Sequence, residues 1–183
     1  MKKWLWLSVG VALGIYWYAK QKKEALPVFQ TVQSFSLLDE ENQPFTEKQI
    51  ANRPCIVNFM FTQCQGTCPL LMERVAALAR NPALAKVLFV SITMDTTNDR
   101  PEVLRAYMKE KQFEGLSWKF LTGEQSAVTT FATQALKVAA GEKPEMHSTR
   151  LILLDAKGQV RGYYESQEAA AMEKLQQDVL TLL

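Results

Sequence analysis

Histidine is almost missing from this chain: 183 residues contain one, His147. Cysteine is scarce as well, at three: Cys55, Cys64 and Cys68. A closed structural zinc site wants four such ligands. Cys55 stands nine positions before Cys64 at the far end of an extended run, about 30 Å away, so no fourth ligand joins the other three. There is also no excess charge of one sign in the body of the chain. Of 21 Lys+Arg, five precede Pro27, which leaves 16 against 18 of the 19 Asp+Glu. That balance excludes a basic face for nucleic acid. No internal repeat and no low-complexity stretch is present. Small residues are lacking where a signal peptidase would need them: Ala19 has Trp17 at −3, and Ala25 has Lys23. An Arg/Ser-rich amphipathic presequence is absent too, which leaves a bacterial cytoplasmic membrane as the simpler home.

The membrane expectation comes from the first apolar run, Trp4 to Ala19, sixteen residues without a charge. As a helix it spans about 24 Å, slightly short of a ~30 Å hydrocarbon core. Trp4 and Trp6 at one end, and Tyr16, Trp17 and Tyr18 at the other, suit the two interfaces. Lys2, Lys3, Lys20, Lys22 and Lys23 flank the run and can snorkel. Residues 1–26 therefore read as an uncleaved transmembrane anchor with a polar tether in contact with lipid. Positive charge on both sides does not orient the span. A short lysine-bearing N-terminus stays inside, which puts residues 27–183 on the outer, periplasmic side.

That second part reads as one α/β domain. Val32 to Leu38 alternates as a strand, and Asp39 to Pro44 is a turn. Thr46 is placed to cap a turn of helix. Cys55-Ile56-Val57-Asn58-Phe59-Met60-Phe61 is nearly continuous apolar sequence, as for a central strand buried on both faces. Leu71, Val75 and Leu78 give a helix over 69–80. A second buried strand, Val87 to Ile92, runs on to Asp95. A helix starts at Pro101, and a third strand covers Leu116 to Leu121. Thr122-Gly123-Glu124-Gln125 has the spacing of a capping box for the next helix. Thr149 to Leu154 is a fourth strand, Gln159 to Tyr164 its hairpin partner, and Ser166 stands where it could cap a last helix. This order, with a Cys pair after a central strand and a closing hairpin and helix, is the thioredoxin-like arrangement: a central mixed sheet flanked by helices.

The chemistry gathers at Phe61-Thr62-Gln63-Cys64-Gln65-Gly66-Thr67-Cys68-Pro69. Two cysteines four apart sit at a strand-to-helix turn. Helix-start amides carry partial positive charge, which favours thiolate. On one helical turn the two Cα atoms would be about 6 Å apart, within disulfide range. The pair can thus hold a soft metal when reduced or a disulfide when oxidised. Cys55 reads as a small core hydrophobe. His147 stands just before a core strand which, by analogy with thioredoxin-like folds, enters across from the Cys pair. Two thiolates and one imidazole suit Cu(I). Met60, Met94 and Met146 are weaker sulfur donors, and Asp95 and Asp99 are hard ligands whose expected work is capping and loop structure. A Cys-x3-Cys spacing departs from the Cys-x-x-Cys of dedicated thiol-disulfide oxidoreductases.

Three motifs carry a family resemblance. Residues 61–69 resemble the Cys-x3-Cys-Pro motif of the Sco/SenC family. Val90 to Leu104, with Asp95, Asp99 and Pro101-Glu102-Val103-Leu104, resembles its strand, paired-Asp loop and helix start. His147-Ser148-Thr149, then Leu151 to Asp155 and Gly158, resembles its histidine and closing hairpin. The resemblance implies a copper chaperone, or a thiol-disulfide reductase, for the dinuclear copper site of cytochrome c oxidase subunit II, with Cys64, Cys68 and His147 as copper ligands. It also implies a redox partner for the Cys64–Cys68 pair. Gln65-Gly66-Thr67 replaces the frequent Pro-Asp-Val between the cysteines, and Met60-Phe61 the usual Gly-Tyr before them.

Overall fold

Cys55–Met60 is buried at every position, as a strand covered on both faces must be. It forms β4 of the computed structural model, which describes residues 25–139 and 148–183. Its neighbours are β5 (Leu88–Thr93) on one side, parallel, and β7 (Arg150–Leu154) on the other, antiparallel. Beyond β5 lies β6 (Trp118–Thr122), also parallel. The hairpin β2 (Ser36–Asp39) and β3 (Pro44–Thr46) finishes that end. Beyond β7 come β8 (Gln159–Glu165) and the two-residue β1 (Gln30–Thr31). The eight-stranded order is β1-β8-β7-β4-β5-β6-β2-β3. It is the expected mixed sheet.

Alternation along β4 sends its side chains into two cores. Cys55, Val57 and Phe59 join one cluster, which is closed by α4 (Gln125–Thr130) and the π turn Phe131–Ala135. Ile56 and Met60 join the other, beneath α2 (Cys68–Ala79), α3 (Pro101–Glu110) and α5 (Ala169–Leu180). Full burial of each such side chain contributes about 1.5–3 kcal/mol.

A buried polar relay crosses the three parallel strands. Trp118 Nε1 donates to Ser91 Oγ at 2.9 Å, and Ser91 donates to Asn58 Oδ1 at 2.8 Å. Asn58 Nδ2 donates in turn to Met72 Sδ of α2 at 3.6 Å. The helix that follows the cysteine turn is thereby tied to the sheet.

Several local expectations need correction. Thr46 does cap a one-turn helix, α1 (Glu47–Ile50), with Gln49 completing the box. The Thr122 box does not form. Thr122 is the last residue of β6 and pairs with Leu38, while Glu124 precedes α4 without a side-chain bond. Ser166 is not a cap either: Glu168 takes that position, and Ser166 is buried with its carbonyl accepting from the Arg74 guanidinium. The strand expected at Val32 to Leu38 is regular only in β2, and β5 stops at Thr93. Residues 4–19, the expected anchor, lie outside the described residues. Among the described residues no helix is long and apolar enough to cross a membrane.

Candidate metal and thiol site

Parallel strands deliver their loops to the edge where their carboxyl ends lie. β4 ends at Met60 and β5 at Thr93, and Met94 N–H donates to the Met60 carbonyl at 2.9 Å. The cysteine turn and the Asp95–Asp99 loop therefore leave the sheet side by side.

Cys68 opens α2 at its first helical position, with Thr67 as the cap residue and Pro69 next. The helix expected over 69–80 begins one residue earlier, and Cys64 is not on it. It belongs to the preceding turn, where its N–H donates to the Phe61 carbonyl at 3.3 Å. The two side chains nevertheless meet: Cys64 and Cys68 are in hydrogen-bond contact, and no disulfide joins them. Cys64 is half-buried and Cys68 only 2% exposed. Gln65, Gly66 and Thr67 form an exposed rim between them.

Burial decides the chemistry of Cys68. It pushes the thiol up to about 12, and the Cys64 hydrogen bond adds to the rise. A helix terminus contributes about 0.3–1 kcal/mol, while one pKa unit corresponds to about 1.4 kcal/mol. The field of the first turn is therefore outweighed, and Cys68 is a protonated thiol at neutral pH.

The pair opens on a cavity of about 200 Å³ between α2 and α3, walled by Met72, Tyr107 and Phe113 and bearing Glu73 and Lys111. Burial, then the neighbouring Cys68 and Glu110, pushes the Tyr107 phenol up to about 12. These wall residues were not singled out from sequence. Met72 and Tyr107 read there as parts of apolar helix faces, and Phe113 follows the second helix without a pattern of its own. A larger groove of about 780 Å³, beside Phe35 and Phe131, has no Cys, His, Asp or Glu in its walls.

Cys55 is fully buried in β4, as expected of a core residue, and burial raises its thiol far above the ordinary value. Met60 and Met94 are core residues too. His147 and Met146 lie outside the described residues. Among the described residues, no three Cys, His, Asp or Glu gather into a metal-holding group. The two thiols are the soft donors in hand, and they suit a soft metal rather than a hard one.

Asp95 caps its own loop, accepting from Asn98 Nδ2 at 2.8 Å. Asp99 does more. It is fully buried, and it accepts from the Thr62 N–H at 2.9 Å, the Thr62 hydroxyl and the Thr93 hydroxyl.

The family model described as SCO1/SenC matches residues 23–183. The chain belongs to the SCO1/SenC family. A relative in Mus musculus, the mitochondrial SCO2 homolog, is 30% identical over 180 residues, covering 91% of this chain and 69% of its own. Two solved structures share the fold. One is BsSco, described as carrying a disulfide switch and as a member of the Sco family of cytochrome c oxidase assembly proteins. It has a TM-score of 0.75 and 23% identity, covering 87% of this chain and 98% of that one. The other is yeast Sco1 with copper bound, at a TM-score of 0.67 and 24% identity, covering 84% and 91%. The SCO1/SenC fold thus accounts for the mixed sheet and for the edge at which this member carries its Cys pair.

Proposed function

We propose that this SCO1/SenC protein is a copper chaperone that binds copper through Cys64, Cys68 and His147 and helps assemble the dinuclear copper site of cytochrome c oxidase subunit II. The observation that carries this reading is the pair of thiols in contact beside a cavity at the sheet edge. The register of β7 supports the third ligand. Because Ile152 lies opposite Val57 in an antiparallel pair, the Arg150 end of β7 faces the edge where β4 gives way to the cysteine turn. His147 stands three residues before Arg150. The copper-bound yeast Sco1 and the assembly role stated for BsSco lend the reading further support.

In the reduced state Cys64 and Cys68 offer two sulfurs. Cys68 must give up its proton to bind, so acid opposes loading. In the oxidised state the same sulfurs are joined and offer none, so thiol redox state gates the site. The cavity beside the pair leaves room for a ligand arriving from the acceptor. Residues 4–19 would hold the domain at the bacterial cytoplasmic membrane on its periplasmic side. A second reading, a thiol-disulfide oxidoreductase acting on a partner's cysteines without metal, is favoured by one observation: the two sulfurs already touch.

The test is a titration of Cu(I) against a chromogenic chelator, using the full 183-residue chain, reduced and without oxygen. One copper per chain is expected, with binding lost in Cys64→Ser and weakened roughly tenfold or more in His147→Ala. Poor binding by the native chain would leave the oxidoreductase reading in its place. Equal binding by native and His147→Ala would remove the histidine from the ligand set.

A further inference from the structure

Asp99 is a buried carboxylate whose donors are all neutral. Thr62 gives it a backbone N–H and a hydroxyl, and Thr93 gives a hydroxyl. Among the described residues no Lys or Arg pairs with it. Burying a carboxyl group without a cation is costly unless hydrogen bonds compensate, and here three do. Bonds that offset the cost also fix what they join, which leaves room for a role beyond stability.

Their geometry supplies one. Two of the three run to Thr62, two residues before Cys64. The Asp99 end is itself anchored: its N–H donates to the Asp95 carbonyl at 2.8 Å, and α3 begins two residues later at Pro101. Thr62, by contrast, lies in a turn whose own backbone bond is the long one from Cys64 to Phe61, 3.3 Å. We propose that Asp99 is the positioning residue of the Cys pair: it clamps Thr62 and so holds the Cys64 turn against Cys68 at the start of α2.

The inference rests on Cys64 and Cys68 being the working pair, in either reading above. Holding two sulfurs together raises their effective concentration, which favours the joined state. Loosening the clamp lowers that concentration and makes the disulfide easier to reduce. The same clamp presents both sulfurs to a metal together, and outer residues of this kind are worth about 10–100-fold in metal affinity.

The test equilibrates the full chain with dithiothreitol. Two electrons and two protons pass from the dithiol of the reagent to the Cys64–Cys68 disulfide, which gives two thiols and the cyclic disulfide of the reagent. In Asp99→Asn the equilibrium is expected to move at least tenfold toward the protein dithiol, about 30 mV for this couple. Thr62→Val removes one of the clamping hydroxyls and leaves the buried carboxyl group of Asp99 in place. It is expected to move the equilibrium the same way by at least threefold, and it decides the matter if Asp99→Asn does not fold. Val160→Ala, a core change on β8, lowers stability and leaves the equilibrium where it was. Native values in Asp99→Asn or in Thr62→Val would overturn the proposal, as would an equal shift in Val160→Ala. Cu(I) affinity measured on the same variants is a separate readout. If the native chain fails to bind copper, the chaperone reading falls while the redox equilibrium still judges Asp99.

Discussion

Cys64 and Cys68 share a motif but not an environment. One is half-buried in a turn; the other is 2% exposed at the base of a helix with its thiol pushed up to about 12. A bulky maleimide at neutral pH should therefore label Cys64 first, roughly tenfold faster than Cys68, with Cys55 untouched until the protein unfolds. Peptide mass spectrometry over a time course checks the order, and faster labelling of Cys68 would refute it. The pair itself was legible in the sequence, because Gln65-Gly66-Thr67 is turn chemistry and an apolar run precedes it. The protonation of Cys68 was not. A helix-start field can be inferred from Cys68-Pro69 alone, but the burial that outweighs it depends on the packing of the whole fold, with Tyr107 and Phe113 brought to the same cavity from 39 and 45 residues away. Asp99 was visible only as a loop acid, since its partner Thr62 is 37 residues away.

Among the elements, β4, β5 and β6 are fastened by more than their ladders. Ser91 stands in the middle of the relay from Trp118 to Asn58. Ser91→Ala leaves a buried indole N–H and a buried amide oxygen without their partner, at about 1–3 kcal/mol each. A total loss of about 2–4 kcal/mol in urea unfolding, with an unchanged slope, is expected. A loss below about 0.5 kcal/mol would show that the relay does not stabilise the sheet. The central strands were readable because unbroken burial leaves an apolar run. Thr122 and Ser166 misled for one shared reason: a hydroxyl with cap-like spacing says nothing about whether the backbone is already engaged. Thr122 is held in the sheet opposite Leu38, and Ser166 is held by Arg74.

For the whole molecule, the mixed sheet and its helices followed from the order of apolar runs, whereas the pairing of β1 with β8 had no signal in two residues. Buried thiols and phenols set its alkaline limit: Cys68 and Tyr107 at the site, pushed up to about 12, and two groups deeper in the fold. Burial raises the Cys55 thiol and, with the Asp178 hydrogen bond, the Tyr164 phenol. Both are neutral in the folded chain, so their stabilising share is level below their unfolded pKa values of about 8.5 and 10 and is lost as pH rises above them. Urea midpoints should be flat from pH 7 to about 8.5 and fall beyond it, by up to about 1.4 kcal/mol per pH unit and group. Cys55→Ala should make the fall between pH 8.5 and 10 shallower by the share of one thiol, leaving that of Cys68. Midpoints that climb with pH would contradict this assignment. The sheet also has a social consequence. Its two outermost strands are two and three residues long, and one of them starts with Pro44, which has no N–H to give. Such edges offer a neighbouring chain almost no backbone to pair with. Crowding many copies together should therefore not zip them into continuous sheets.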